Sequence, residues 1–325
     1  MDGAPWPGAV AVSGGGDSLA LMHLLAGWAK KTRRPAPVVL TVDHGLQRGS
    51  KSNAAKVARW ARDAGLEAHV LRWEGPKPKS DIEAAARAAR YRLMASWCRA
   101  HGIDALYAGH TRDDQAETFL LRLARGSGLD GLAAMRAVGD YPLADYAGLA
   151  LVRPLIGFER AALRAHLTRA KLAWLEDPMN ADPRFARVRM RAAMAALGLS
   201  AARVADAATH LARAREALEA VTEAVLRRAC TREEGAVLAD TAALAAAPRE
   251  VALRALARIL MGVSGQAYRP RFESLERLFD RIAQGSLGRG CTLHGCKIAP
   301  AGPGRLRFSP ELGRKAGAQS ALNRV

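Results

Sequence analysis

Ser13-Gly14-Gly15-Gly16-Asp17-Ser18 sets two hydroxyls and a carboxylate around three glycines. Glycines let backbone N–H groups close around phosphate oxygens, and the hydroxyls of Ser13 and Ser18 add donors at either end. Asp17 repels phosphate unless a cation lies between them, so the turn is expected to bind a nucleoside phosphate with Mg²⁺ held by Asp17. A plain strand-to-helix turn also carries glycines, but here hydroxyl, glycine and acid all fall where a phosphate site needs them. No Gly-Lys-Ser/Thr follows, so this is not a Walker A loop, and γ-phosphoryl transfer is disfavoured.

A second constellation is His110-x3-Asp114-x2-Glu117, whose i, i+4, i+7 spacing puts all three on one helical face. Acids there either complement a helix N-terminus or face a cationic group, and the strand end just before them favours a ligand role. His110 has no second His or Cys at ligand spacing, which favours a place beside a phosphate or base over a metal. Arg87 and Arg90 share a helical face, as a solvated charged surface or as phosphate partners. Asp43 and His44 end a strand and are expected on the base side of the nucleotide. Arg184, Arg187, Arg189 and Arg191 form a run without an acid, suited to bidentate phosphate pairing. Cys291-x2-His294-x-Cys296 has part of a metal-ligand spacing but no fourth ligand nearby.

These residues need a scaffold, and its periods are legible. Ala9–Val12, Val38–Val42, Ala68–Leu71, Leu106–Ala108 and Leu149–Val152 read as strands, and Leu19–Lys30, Ser52–Ala64, Ile82–Ala100 and Asp114–Ala124 as the helices between them. Such alternation predicts a doubly wound, mostly parallel α/β sheet covered on both faces. Ser80-x-x-Glu83 has capping-box spacing at the start of one helix. Gly126-Ser-Gly128-Leu-Asp-Gly131 matches a dinucleotide fingerprint but follows a helix rather than a strand, so it is set aside. Beyond Phe158 the pattern is helical through Ala165 and again over Ala201–Arg228, Pro248–Met261 and Pro270–Ala283, with short strands over Cys291–Phe308. Trp174–Pro183 reads as a loop. The expected division is a catalytic domain over 1–200 and a mainly helical domain with short C-terminal strands, serving RNA, over 201–325.

The 325 residues carry 49 Lys and Arg against 31 Asp and Glu, a formal charge of +18, of which residues 1–200 supply +10. Such a body attracts polyanions, and half of its residues are hydrophobic, which excludes a disordered basic tail. Four cysteines without a Cys-x-x-Cys pair rule out a disulfide scaffold, and no apolar run approaches a membrane span. The N-terminus lacks signal-peptide character, so a cytoplasmic protein without a membrane is expected, and no protein partner is inferred.

The Ser-Gly-Gly-x-Asp-Ser turn after the first strand resembles the PP-loop of the N-type ATP pyrophosphatases, which split ATP between the α and β phosphates. Further motifs are Thr41-Val-Asp43-His44-Gly45-Leu46, Glu83…Ala86-Arg87-Ala-Ala-Arg90-Tyr91, Gly109-His110-Thr-Arg-Asp113-Asp114-Gln115-Ala-Glu117-Thr118 and Arg125-Gly-Ser-Gly128-Leu-Asp-Gly131-Leu. With Arg153-Pro154-Leu155 and Asp177 to Arg191 they make residues 8 to 195 similar to the tRNA(Ile)-lysidine synthase family. The pattern departs at Gln47, Met179 and Val188, where that family commonly has Arg, Ser and Asn.

The resemblance implies a two-step reaction. The C2 carbonyl oxygen of a wobble cytidine, in a tRNA(Ile) with a CAU anticodon, attacks the α-phosphate of ATP, and free L-lysine then displaces AMP. It implies catalytic roles for Asp17, Arg90, His110, Asp114 and Glu117, and lysine binding by Asp114 and Glu117. ATP is expected at Ser13, Gly14, Gly15, Gly16, Asp17, Ser18, Asp43 and His44, and tRNA at Arg184, Arg187, Arg189 and Arg191. A tRNA-thiolating enzyme of the same superfamily would need a persulfide cysteine or a cluster held by Cys-x-x-Cys. A non-catalytic RNA-binding module would explain the charge but not Asp17, and a small-molecule ligase the turn but not the charge.

Overall fold

The computed structural model describes residues 3–46, 49–75, 77–78, 80–176 and 182–311. Gln47, Asp177, Met179 and Asn180 lie outside the described residues, as does the side chain of Glu83. The chain forms two compact units, 1–212 and 213–325.

The first unit runs β1 (Ala9–Ala11), α1 (Gly16–Lys31), β2 (Val38–Asp43), α2 (Ser50–Asp63), β3 (Ala68–Arg72), α3 (Ile82–Ala100), β4 (Ala105–Ala108) and α4 (Arg112–Leu123). It continues through α5 (Leu129–Leu132), β5 (Val138–Asp140), β6 (Ala150–Val152), α6 (Arg160–Arg169) and α7 (Ala186–Ala196). The sheet order is β3-β2-β1-β4-β6-β5, parallel except for β5, which pairs antiparallel with β6. Alternate residues of each strand enter opposite cores. Val10, Val39, Tyr107 and Val152 pack with Leu19, Leu21, Val57 and Leu163 from α1, α2 and α6. Ala9, Leu40, Leu106 and Leu151 pack on the other face with Tyr91, Met94 and Ala95 of α3. Burying each large side chain contributes about 1.5–3 kcal/mol, which explains why apolar residues so dominate these strands. The doubly wound fold is thereby established, and its strand order reverses at β1 and β4. Ligands of open α/β sheets bind at that reversal, beyond the carboxyl ends of the strands.

Ser80 does not cap α3: Asp81 holds that position in left-handed backbone (φ 49°) without a side-chain cap bond. The capping box forms instead at α4, between Thr111 and Asp114. The short β5 escapes notice in sequence because Val138-Gly-Asp140 lacks an apolar run. The Gly126–Gly131 segment follows α4 and leads into the four-residue α5.

α8 (Ala201–Ala229) spans the division between the units. The second unit continues with β7 (Cys230–Glu233), β8 (Ala236–Asp240), α9 (Thr241–Ala245), α10 (Arg249–Ser264), α11 (Phe272–Ala283), β9 (Cys291–Leu293), β10 (Cys296–Pro300) and β11 (Arg305–Pro310). Its strands form one antiparallel sheet in the order β7-β8-β11-β10-β9. α10 is buried along most of its length against Val237, Ile298 and Phe308 of the sheet and Leu275 and Phe279 of α11. Even Arg254 is buried there, its Nε donating to Glu250 at 2.7 Å. The hairpin of β7 and β8 adds strands that the helical pattern around it conceals. Among the described residues no helix is long and apolar enough to cross a membrane.

Candidate active site

β1 delivers the chain into the Ser13–Ser18 turn at the strand-order reversal. The Ser18 hydroxyl ties the turn together: it donates to Gly15 O at 2.9 Å, accepts from Ser13 N at 3.2 Å and lies 3.2 Å from Ser13 Oγ. Gly14 has φ +96°, and a Cβ there would lie 2.5 Å from Leu175 Cδ1. Leu175 N in turn donates to Gly14 O at 2.8 Å. Gly15 is the N-cap of α1, so the first N–H groups of that helix lack intrahelical acceptors and suit an anion. Gly109, after β4, packs so close that a Cβ would lie 2.9 Å from Asp17 O.

The capping box of α4 fixes the second half of the site. Asp114 Oδ2 accepts from Thr111 N at 2.8 Å and from Thr111 Oγ1 at 2.9 Å. That leaves Asp114 Oδ1 to face Arg160 Nη2 and Arg187 Nη1, each at 3.2 Å. One helical turn on, Glu117 lies 3.4 Å from Arg160, 3.8 Å from Arg187 and 3.7 Å from Arg191. Arg160 Nε also donates to Asp17 Oδ2 at 2.8 Å. Burial raises the pKa of Asp17 and of Glu117, outweighing the arginines beside them. Burial opposes ionisation of Asp114 too, but Arg160, the Thr111 N–H and Arg187 together hold its carboxyl below the usual range.

Asp17, His44, Arg90, His110, Asp114 and Glu117 all line one cavity of about 550 Å³, floored by Val12, Val42, Met94, Leu106 and Leu151. Asp43 does not: its Oδ1 accepts from Ser50 Oγ at 2.5 Å and Gly45 N at 3.1 Å, so it shapes the turn after β2. The arginine run is also not acid-free in space. Arg187 and Arg191 turn to the site acids, Arg184 pairs with Asp182 at 2.6 Å, and Arg189 donates to the carbonyls of Pro183 and Arg184. Sequence spacing missed Arg160, which belongs to no motif. The one available signal was Asp17, Asp114 and Glu117 themselves, an acid group that needs a cation from elsewhere.

His110 and His44 each bury an Nδ1 without a protein partner. Burial lowers both pKa values, that of His110 to about 4. A histidine depressed in the folded state resists protonation there while the unfolded chain accepts a proton near 6.5, so stability falls as pH drops from about 6.5 towards 4. The melting temperature is therefore expected to decline through that window, as this group removes up to about 1.4 kcal/mol of stability per pH unit. His110→Gln should flatten the decline; an unchanged pH profile in that variant would contradict the assignment.

Asp17 Oδ1 is buried and without a hydrogen-bond partner at the phosphate turn. A bare carboxylate oxygen beside an anion cradle is a fitting donor for a hard cation such as Mg²⁺. Among the described residues no group of three or more acid, His or Cys side chains could hold a metal, so phosphate and water oxygens would have to complete the shell.

Comparison with known proteins agrees with this geometry. Residues 7–197 match the PP-loop domain family. The chain is 44% identical over 320 residues to the tRNA(Ile)-lysidine synthase of Methylobacterium nodulans, covering 95% of this chain and 91% of that one. It is 38% identical over 295 residues to the tRNA(Ile)-lysidine synthase of Wolbachia pipientis wMel, covering 89% and 67% respectively. A U34-tRNA thiolase from Methanococcus maripaludis, solved with its [4Fe-4S] cluster, shares the fold at 17% identity and a TM-score of 0.51, over 65% of this chain and 71% of that one. A phosphate turn and a row of buried acids at one sheet reversal thus accompany extensive identity to named relatives, and the chain belongs to the tRNA(Ile)-lysidine synthase family of PP-loop proteins.

Proposed function

We infer that the chain is an ATP-dependent ligase that joins L-lysine to C2 of the wobble cytidine in a tRNA(Ile) with a CAU anticodon, releasing AMP and pyrophosphate. The observation that carries this is a single cavity with a phosphate turn and the buried acids Asp114 and Glu117 both on its wall. The first supplies a nucleotide and the second an amine.

In the first step the turn of Ser13–Ser18 holds the phosphates and Asp17 would hold Mg²⁺, which when bound offsets phosphate charge. The cytidine O2 attacks the α-phosphorus, and pyrophosphate leaves. Arg90 donates to the phosphoryl oxygens, where its buried guanidinium is worth more than in water. In the second step the ε-amine of lysine attacks C2, and AMP leaves with the former O2. Asp114 and Glu117 orient the amino acid through its ammonium. His110, kept neutral near pH 7 by burial and with Nδ1 unpartnered, accepts a hydrogen bond from the attacking amine, and the proton that the amine releases passes to water. None of the four cysteines lines the cavity, and burial pushes the Cys98 thiol up to about 12, which favours lysine transfer over a thiolation carried by the chain's own cysteines. A cytoplasmic setting belongs to the same proposal.

Equal amounts of AMP and pyrophosphate, formed only with RNA present, are the expected products; ADP and phosphate would overturn the reading. The charge of +18 and the outward Arg184 and Arg189 support tRNA binding. Each phosphate contact adds about 0.7–0.9 to the log–log salt slope of binding. Replacing Arg184 and Arg189 by Ala should therefore raise the KM for tRNA and lower that slope by roughly one to two units, with ATP affinity and melting temperature unchanged. An unchanged slope with a lowered melting temperature would assign these arginines to structure.

A further inference from the structure

Arg160, at the first position of α6, meets three carboxylates from two other elements. Its Nε lies 2.8 Å from Asp17 of α1, Nη2 3.2 Å from Asp114 and Nη1 3.4 Å from Glu117, both on α4. Its own backbone N–H donates to Asp113 Oδ2 at 2.8 Å, which anchors the start of α6 to α4. All three guanidinium nitrogens are thus committed, and a planar fork directs each of them separately. Arg187 Nη1 reaches Asp114 and Glu117, and Arg191 Nη1 reaches Glu117, and their side chains are 37% exposed against 19% for Arg160.

We propose that Arg160 is a positioning residue for the ligase reaction, holding the phosphate-turn carboxylate and the two amine-facing carboxylates in one array. The proposal rests on the ligase reading above. Asp17 serves the nucleotide and Asp114 and Glu117 serve the amine, so the one group bonded to all three fixes the separation between the two ends of the cavity. Without it the three carboxylates repel one another, and Asp17 Oδ1 loses its aim. A lysine in its place keeps the charge but is a point donor on a flexible stem, unable to direct three bonds at once.

The test uses full-length Arg160→Lys and Arg160→Ala, with melting temperature recorded beside two single-turnover rates. One is pyrophosphate release with ATP and tRNA but no lysine; the other is the lysine chase of isolated adenylated tRNA. Arg160→Lys is expected to melt near the parent temperature yet to lose about 100-fold in both rates, the scale of a misplacement near 1 Å, with a raised KM for lysine. Added ethylguanidinium should recover part of both rates in Arg160→Ala, and ethylammonium should not. Parental rates in Arg160→Lys, a loss confined to one step, or equal rescue by both cations would overturn the proposal. So would loss of the fold in both variants, which would make Arg160 structural. A parent protein that forms no lysine-dependent product would instead refute the ligase reading, so the two failures are distinguishable.

Discussion

Replacing Asp17 by Asn is expected to abolish AMP formation while leaving the fold and tRNA binding intact. Asp17 Oδ1 is buried at the turn without a partner, whereas Oδ2 is held by Arg160. An amide keeps an oxygen for Arg160 but is a poor ligand for a hard cation, so the phosphates lose their counter-charge. Loss of one preorganised electrostatic group in a dry site costs about 10²–10³ in rate, and more is expected where a cation goes with it. Stability should not suffer. Burial raises the pKa of Asp17, so folding works against its ionised form, and a neutral isostere removes that penalty. Arg160 keeps Asp114 and Glu117 as partners, so no buried cation is stranded. Pyrophosphate release and a thermal melt on the same preparation decide it: a parental rate would remove Asp17 from the chemistry, and an unfolded variant would remove the claim of a purely electrostatic role.

Glu117→Gln should separate the two steps. The Glu117 side chain is only 3% exposed, yet it lines the cavity and faces three arginines rather than a backbone cap. Its charge is thus available to an entering ammonium once an arginine yields. Charge-assisted hydrogen bonds contribute about 1.5–3 kcal/mol, so the KM for lysine should rise roughly 10- to 100-fold. Adenylation should stay near the parent rate, and adenylated tRNA should accumulate. Asp114→Asn is a less clean probe, because Asp114 Oδ2 also closes the capping box of α4. Equal loss of both steps in Glu117→Gln would assign the acid to ATP instead.

The sequence makes the scaffold and the phosphate turn legible because both are local. The β1 turn is specified by six consecutive residues, and the face carrying His110, Asp114 and Glu117 by one helical period. The two sheet faces follow from period-two burial of apolar residues in each strand. What stays hidden depends on distant pairing. Arg160 lies 143 residues from Asp17 and has no motif around it, so only folding reveals the bond. The spacing picks out Asp43 at a strand end but not its bond to a serine seven residues on. The arginine run reads as free cation because its partners Asp114 and Glu117 lie on another helix. In the second unit the β7–β8 hairpin is flanked by helices and too short for a period to stand out.

The most direct test of the central claim is mass spectrometry of nucleosides from tRNA(Ile) with a CAU anticodon, incubated with the protein, ATP, Mg²⁺ and isotopically labelled lysine. The expected result is label in a modified cytidine from the wobble position, formed in equal amount with AMP and absent when lysine or ATP is omitted. An unmodified wobble cytidine under the same conditions, or a sulfur-containing base in its place, would contradict it.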